Sequence, residues 1–390
     1  MSQRMRRVII ASRLYAPEVG AAAFRLRALA RGLAAEGVKV RVVTSVPPRG
    51  TAIPAPDAGV TISRFPVLRD RGGNVRGYVQ YLSFDIPLFF RLLFTGGDLV
   101  VSEPPPTTGA VVAVTSWLRR RPYAYYAADV WTDGLIALGA PRFLVGIMRA
   151  VEGFVMRNAA TVIAVSDEVA QKVVAFGVDP SAVATVGNGV DMDVFTPDGP
   201  RAELSQPTYV YTGAMSEWQG PAIFVEALAI VRQTHPTASI RYFGQGVEEP
   251  HIREAAERLG LTDHVHLGGV IPPAETAEWI RGATAALASI KPGVGYDFAK
   301  PTKTYAAAAC GTPVVFAGIG AGAKLVSDNG LGWRSDFEPT AIAEAMLAAA
   351  DAEQAGETRR LRDGRVDWAK ANTSLAASGR LAAQRLLVAD

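Results

Sequence analysis

Lys300-Pro301-Thr302-Lys303 opens a helical pattern and carries the clearest chemistry in this sequence. Ammonium groups, a hydroxyl and the free amides of a helix N-terminus together suit a diphosphate. The chain has seven lysines, and Lys291, Lys300 and Lys303 fall within residues 291–303. That clustering argues against the ordinary reading of lysine as a merely solvated charge. Upstream, Thr212-Gly213, Gly244-Gln245-Gly246 and Gly268-Gly269 each follow an apolar run. Glycine turns along one sheet edge let a flat base and a phosphate chain approach the backbone closely. In the N-terminal half, Asp129 ends the apolar run YAYYAAD. A carboxylate there orients or deprotonates a substrate hydroxyl, or it caps the next helix; the sequence leaves both open. Arg13, Tyr15, Glu18 and Gly20 lie in the loop after the first apolar run, and Glu103 and Asn188 follow later ones. These six are the candidate substrate-binding residues.

The elements that must hold them alternate. RRVIIAS is a strand, AAAFRLRALARGLAAEG a helix stopped by Gly37, and VKVRVVTS a second strand. This β-loop-α-β unit builds parallel sheets with helices packed on them. DLVVSE, YAYYAAD, TVIAVS and ATVGN continue the pattern as strands. Residues 196–207, TPDGPRAELSQP, carry three prolines and no periodicity, which reads as a linker. The rhythm then restarts with the strands TYVYTG, SIRYFG, HVHLGG, AALASI and TPVVFAG. Two Rossmann-like domains are expected, 1–195 and 208–370, facing each other across an interdomain cleft. A C-terminal helix, 371–390, is expected to return to the first domain. Open parallel sheets bind ligands at the carboxyl ends of their strands, where the residues above fall.

Composition narrows the classes further. Hydrophobic residues make up 49% and charged residues 20%, which excludes a disordered chain. No uncharged apolar run approaches the roughly 18 residues that span a bilayer, and MSQRMRRVIIAS reads as a first strand rather than a leader. Cys310 is the single cysteine, which excludes internal disulfides and fits a reducing cytoplasm. The net charge of +3 divides unevenly: residues 1–200 hold 22 basic against 16 acidic side chains, and the remainder 18 against 21. That excess suits an anionic membrane surface or an acidic substrate, or reflects a general use of arginine; no nucleic-acid partner is expected. Segment 78–94, YVQYLSFDIPLFFRLLF, admits a membrane-surface or lipid-acceptor role, but Asp85 and Pro87 interrupt a clean amphipathic face and favour a buried helix. Gly318-Ile319-Gly320-Ala321-Gly322 lacks dinucleotide-loop spacing, and neither Asp191-Met192-Asp193 nor the four histidines make a metal set.

Six segments in order resemble family 4 of the retaining nucleotide-sugar glycosyltransferases, over nearly the whole chain. They are YAPEVGAAAFRLRALARGLAAEGVKVRVVTS, VIAVSDEVAQKVVAFGV, VGNGVDMDVFTP, YTGAMSEWQGPAIFVEAL, FGQGVEEPHIREAAERLGLTDHVHLGGVIP and FAKPTKTYAAAACGTPVV. Gln219-Gly220 and Pro301-Thr302-Lys303 bring the chain nearest to the surface-polysaccharide and amino-sugar branch. The resemblance implies an α/β GT-B fold whose C-terminal domain binds a nucleotide diphosphate sugar, UDP-linked in preference to GDP-linked. It implies metal-independent transfer with retention, no cofactor, and a small-molecule, glycan or lipid-linked acceptor on the N-terminal domain. Peripheral membrane contact would run through that same domain. The implied donor residues are Gly213, Gln219, Gly244, Gly246, Lys300, Thr302 and Lys303, with Ala306 where the family keeps a ribose-binding glutamate. Phe298 replaces the family's other glutamate, with Asp297 adjacent. Ala214 and Gln219 replace an Arg and Lys phosphate pair. Asp129, Lys303 and Asp297 are the catalytic candidates. The missing carboxylates leave a catalytically silent homologue or a nucleotide-sugar epimerase as alternatives.

Overall fold

The computed structural model describes residues 6–388 except 19, 71, 72, 76, 138, 205 and 206. The chain forms two compact units, Met1–Asn188 with Leu375–Asp390, and Gly189–Ser374. The divisions fall at 188 and 374, earlier and later than the 195 and 370 read from the sequence. Segment 196–207 has no helix or strand among its described residues. It is nonetheless bound to the second unit: the Ala202 amide donates to the Glu278 carbonyl, and Arg281 donates to the carbonyls of Thr196 and Pro200.

In the first unit the order is β1 (Arg7–Ala11), α1 (Ala21–Ala35), β2 (Lys39–Ser45), β3 (Val60–Phe65), α2 (Tyr78–Phe94), β4 (Leu99–Ser102), α3 (Pro106–Leu118), β5 (Tyr123–Ala127), α4 (Trp131–Ala137), α5 (Arg142–Arg157), β6 (Thr161–Ala164), α6 (Asp167–Ala175) and β7 (Val183–Thr185). The strands line up β3-β2-β1-β4-β5-β6-β7, all parallel, with Val8 opposite Val40 on one side and Leu99 on the other. Helices cover both faces, so strands such as TVIA are buried at every position. Right-handed crossovers from β1 to β2 and from β4 to β5 run opposite ways along the sheet, which sets α1 and α3 on opposite faces. The last helix, Leu375–Val388, lies on α1. Glycine permits this crossing: a Cβ on Gly32 would stand 2.6 Å from the Gly379 carbonyl oxygen. β3 escaped sequence reading because VTISRF mixes polar residues into an edge strand.

The second unit runs β8 (Thr208–Thr212), α7 (Ile223–Val231), β9 (Ser239–Phe243), α8 (Glu249–Arg258), β10 (Val265–Leu267), α9 (Pro273–Gly282), β11 (Ala285–Ser289), α10 (Thr302–Ala309), β12 (Val314–Ala317), α11 (Ala321–Asp328), β13 (Gly332–Ser335), α12 (Pro339–Gln354), α13 (Glu357–Arg360) and α14 (Arg362–Asn372), making the last helix α15. Its strand order is β10-β9-β8-β11-β12-β13, again parallel. Side chains of β8 alternate across the sheet. Tyr209 and Tyr211 enter the core under α7, α8 and α12, while Val210 packs with α9, α10 and Phe316.

In an open parallel sheet, ligands sit where the strand order reverses. That point lies between β1 and β4 in the first unit and between β8 and β11 in the second. The loops leaving those strands carry Arg13, Glu18, Glu103, Gly213, Gln219 and Lys300, while Asp129, Asn188 and Gly244 follow β5, β7 and β9.

Candidate functional site

The switch point of the second unit brings the loop after β8 beside the N-terminus of α10. Pro301 is the N-cap of α10 and no side chain caps the helix; the Thr304 amide donates to the Pro301 carbonyl, which leaves the Thr302 and Lys303 amides of the first turn for an anion. Lys303 extends from that turn beside Gly213, whose φ is +96°; a Cβ there would meet the Lys303 Cε at 3.9 Å. The ammonium lies 3.4 Å from the centroid of the Tyr211 ring and 3.3 Å from Gln219 Oε1. No carboxylate among the described residues pairs with it. Burial pushes the Lys303 pKa well below its ordinary 10.5. Among the described residues the ammonium thus has a ring and an amide oxygen beside it and no opposite charge, which leaves it uncompensated. Gln219 is buried, and its Oε1 also accepts from the Tyr211 hydroxyl. It therefore holds Lys303 in place rather than reaching a ligand as the sequence reading had it.

The glycines build this site by packing. Gly244 has φ +137°, and a Cβ on it would stand 1.9 Å from the Gly213 carbonyl oxygen; one on Gly246 would stand 2.1 Å from that of Met215. The turn after β9 thus seats the loop after β8. The 318–322 glycines, set aside as a dinucleotide loop, do the same for Asp297. A Cβ on Gly320 (φ +86°) would lie 2.1 Å from the Asp297 carbonyl oxygen, which accepts the Ala321 amide at 2.8 Å. Asp297 Oδ1 is left buried without a hydrogen-bond partner. Trp218 and Tyr296 stack at 4.7 Å, with Phe298 next in line at 6.1 Å, and brace this loop. Thr302 and Lys300 are partly exposed beside it.

Ala306 lies elsewhere in character. It is buried among Tyr305, Ala307, Phe316 and Ala323 in an apolar cluster. A glutamate introduced there would enter this apolar cluster, so Ala306→Glu should destabilise the fold by about 3 kcal/mol or more without tightening nucleotide binding. Chemical denaturation and UDP titration of the variant check both halves; tighter binding with intact stability would show an open ribose pocket.

In the first unit the picture differs from the sequence reading at most positions. Glu103 forms a buried ion pair with Arg25 at 2.9 Å and accepts from Ser12 Oγ at 2.7 Å. Arg25 in turn stacks over Tyr126. Breaking a buried pair of this kind costs about 3–5 kcal/mol, so Glu103 ties β4 to α1 and is not free for a substrate. Tyr15 is a core residue, packed with Leu26 and Val42, and burial raises its pKa to about 12. Glu18 is held by Arg69 at 2.9 Å and by Ser45 Oγ. Arg13 donates to the Val75 carbonyl and lies 4.7 Å from the Tyr81 ring. These two pin the loop that leads into α2. Gly20 is the N-cap of α1 with open space around it, and Asn188 is the partly buried last residue of the unit's first stretch.

Asp129 is placed differently. It does not cap α4. Glu152, reaching from α5, does so: its carboxylate accepts the Trp131 amide at 2.8 Å, the Thr132 amide at 2.9 Å and the Thr132 hydroxyl at 2.6 Å. Glu152 is fully buried, and nothing in sequence order marked it, since it lies mid-helix within VEGF. With the helix satisfied, Asp129 Oδ1 stays enclosed and without a partner. Burial raises the Asp129 pKa to about 6, with Arg25 opposing and Glu152 and Glu103 adding to the rise. A carboxylate that titrates near neutrality is suited to general-base work.

Comparison with known proteins identifies the family. Residues 20–189 match the family described as glycosyl transferase 4-like domain, and residues 206–351 match glycosyl transferases group 1. The D-inositol 3-phosphate glycosyltransferase of Segniliparus rotundus is 30% identical over 224 residues, covering 53% of this chain and 49% of that protein. The protein of the same description from Thermobifida fusca is 32% identical over 180 residues, covering 42% of this chain and 40% of its own length. The chain thus spans about half the length of the curated relatives it matches. Among solved structures, sucrose-phosphate synthase from Thermosynechococcus elongatus superposes with a TM-score of 0.74 at 16% identity, covering 99% of this chain and all of that one. Anabaena HepE, solved with UDP and glucose, gives 0.70 at 17% identity, covering 98% of this chain and all of that one. At such identities the likeness is one of fold.

Proposed function

We infer the activity from family membership: the chain belongs to the family 4 glycosyltransferases of GT-B fold. It moves a sugar from a nucleotide diphosphate donor, UDP-linked in preference to GDP-linked, to a hydroxyl of a small-molecule, glycan or lipid-linked acceptor. The observation that carries this reading is the Lys303 ammonium, partly buried at the start of α10 with no carboxylate paired to it among the described residues. A diphosphate supplies the missing charge.

The reaction runs with retention and without a metal. The anomeric carbon–oxygen bond to the diphosphate breaks as the acceptor oxygen bonds to the same face. Lys303 and the first amides of α10 stabilise the charge that builds on the leaving diphosphate. The acceptor proton passes to the departing phosphate oxygen, and Asp129 orients the acceptor hydroxyl. Asp297 Oδ1 takes over the ribose contact that Ala306 cannot make. Cys310, buried and unpaired, agrees with a reducing cytoplasm as the compartment.

Thermal unfolding with UDP, GDP, TDP and CDP tests the reading. UDP should raise the melting temperature by several degrees at ligand concentrations about 100-fold over Kd, the equivalent of about 2.7 kcal/mol. Chelators should leave that shift unchanged, and the product anomer should keep the donor's configuration. A folded protein that responds to none of the four nucleotides would point instead to a catalytically silent homologue.

A further inference from the structure

At one edge of the second sheet a guanidinium and an imidazole stand side by side without partners. β10 is the edge strand and β9 its neighbour, with His266 opposite Arg241 in register. Registered residues of adjacent strands leave the same face of the sheet, about 4.8 Å apart at the backbone. That face is the one on which α9 packs. The Arg241 guanidinium lies 5.5 Å from the Trp279 ring, and Trp279 also packs on Phe243 at 4.9 Å. Ile240 and Tyr242 alternate to the other side, into the core with Phe224 and Ile252.

Both residues are half-buried, and neither has a hydrogen bond or a carboxylate partner among the described residues. Arg241 Nε is cut off from solvent and unbonded. The guanidinium has thus lost part of its hydration and gained a ring face in return, and burial lowers its pKa. Burial also holds His266 below its ordinary 6.5, with Arg241 and His264 adding to the fall and Asp263 opposing it. His264 is itself occupied: Arg232 donates to its Nδ1 at 2.7 Å and to the Ala238 carbonyl at 3.0 Å. Charged side chains on an edge strand often serve to keep other strands from pairing there. Arg241 does not fit that role, since it lies one strand in, with its Nε away from water. An oxyanion supplies what both groups lack. The pair offers one permanent charge and a second that appears when His266 takes up a proton, which matches the two charges of a phosphate better than the one of a carboxylate.

We propose that Arg241 and His266, beside Trp279, form a binding site for a phosphate group, as the free ion or at the end of a phosphomonoester. The site goes beyond the transferase reading and does not depend on it, because its own histidine reports on it. The chain has four histidines, so the imidazole signal lost from the NMR spectrum of His266→Gln belongs to His266. Inorganic phosphate added to the full chain should move that signal, and acetate at the same concentration should not. Sulfate, which stays doubly charged, should raise the His266 pKa, since a bound anion favours the imidazolium against the opposing Arg241 and His264 and in the same sense as Asp263. Sulfate should therefore bind more tightly as pH falls, and this dependence should vanish in His266→Gln. Arg241→Gln should weaken phosphate binding at least about tenfold and keep the melting temperature, since it breaks no hydrogen bond or ion pair. Tighter binding of glycerol phosphate than of inorganic phosphate would assign the site to an ester, and equal binding to the free ion; both outcomes support the site. An unmoved His266 signal, acetate binding as tightly as phosphate, or unchanged phosphate binding by Arg241→Gln would overturn it.

Discussion

Lys303→Met should weaken UDP binding tenfold or more and at the same time stabilise the ligand-free protein. The first effect is the loss of a charge-assisted contact worth roughly 1.5–3 kcal/mol. The second follows from the lack of a carboxylate paired with the ammonium among the described residues, where it lies against the Tyr211 ring and Gln219. Methionine keeps an unbranched stem of similar length and removes the desolvated charge, which should return about 1–2 kcal/mol. The pH dependence has a definite sign. A lysine whose folded pKa is depressed costs the fold stability as pH falls below the unfolded value of 10.5, because the unfolded chain binds the proton more readily. The advantage of Lys303→Met should therefore be larger at neutral pH than at alkaline pH and shrink as pH rises toward 10.5. Nucleotide binding at alkaline pH should take up a proton, measurable by calorimetry in buffers of different ionisation enthalpy. If the variant binds UDP as tightly as the parent, the diphosphate is not at Lys303.

Asp129→Asn should lower turnover about a hundredfold or more while leaving the UDP dissociation constant near its original value. It should also make the protein more stable above neutrality. Burial raises the Asp129 pKa from 3.8 to about 6, and Oδ1 has no partner to offset the charge. Since its folded pKa lies above its unfolded value, the group adds no penalty below pH 3.8, and the penalty grows as pH rises to about 6. Asparagine carries no such charge. The variant should gain about 1–2 kcal/mol at pH 8, a figure reduced for the partial exposure of the residue, and nothing near pH 3.8. Turnover of the parent should rise through pH 6 as the carboxylate ionises, and the residual activity of the variant should not. A variant with full turnover would make Asp129 a bystander.

The contrast between Asp129 and Glu103 shows where sequence reading stops. Both carboxylates follow an apolar strand at the ligand edge, and in one dimension they are equivalent. Folding brings Arg25 from α1 within 2.9 Å of Glu103, and Glu152 from α5 onto the α4 amides. One carboxylate is thereby consumed in an ion pair and the other is released from capping. Neither partner is close in sequence to the group it affects. The same holds for Gln219, whose amide reads as a ligand contact but is turned onto Lys303 and Tyr211. The outer stripe of α2 escaped because Asp85, which seemed to spoil an amphipathic helix, is buried against Thr108 and leaves the exposed face wholly apolar.

The sequence by itself determined the alternation of strand and helix, two parallel sheets, and the edge on which the functional loops lie. These depend on short-range periodicity and on which residue ends each apolar run, both local properties of the chain. It also placed Lys303 at a helix start, because Pro301 and the alanine run after it are local signals too. Only the tertiary structure decided which charged groups remain free to act. Whether a carboxylate or an ammonium is paired depends on side chains brought from distant elements within about 4 Å, and on the burial that fixes what each unpaired charge costs.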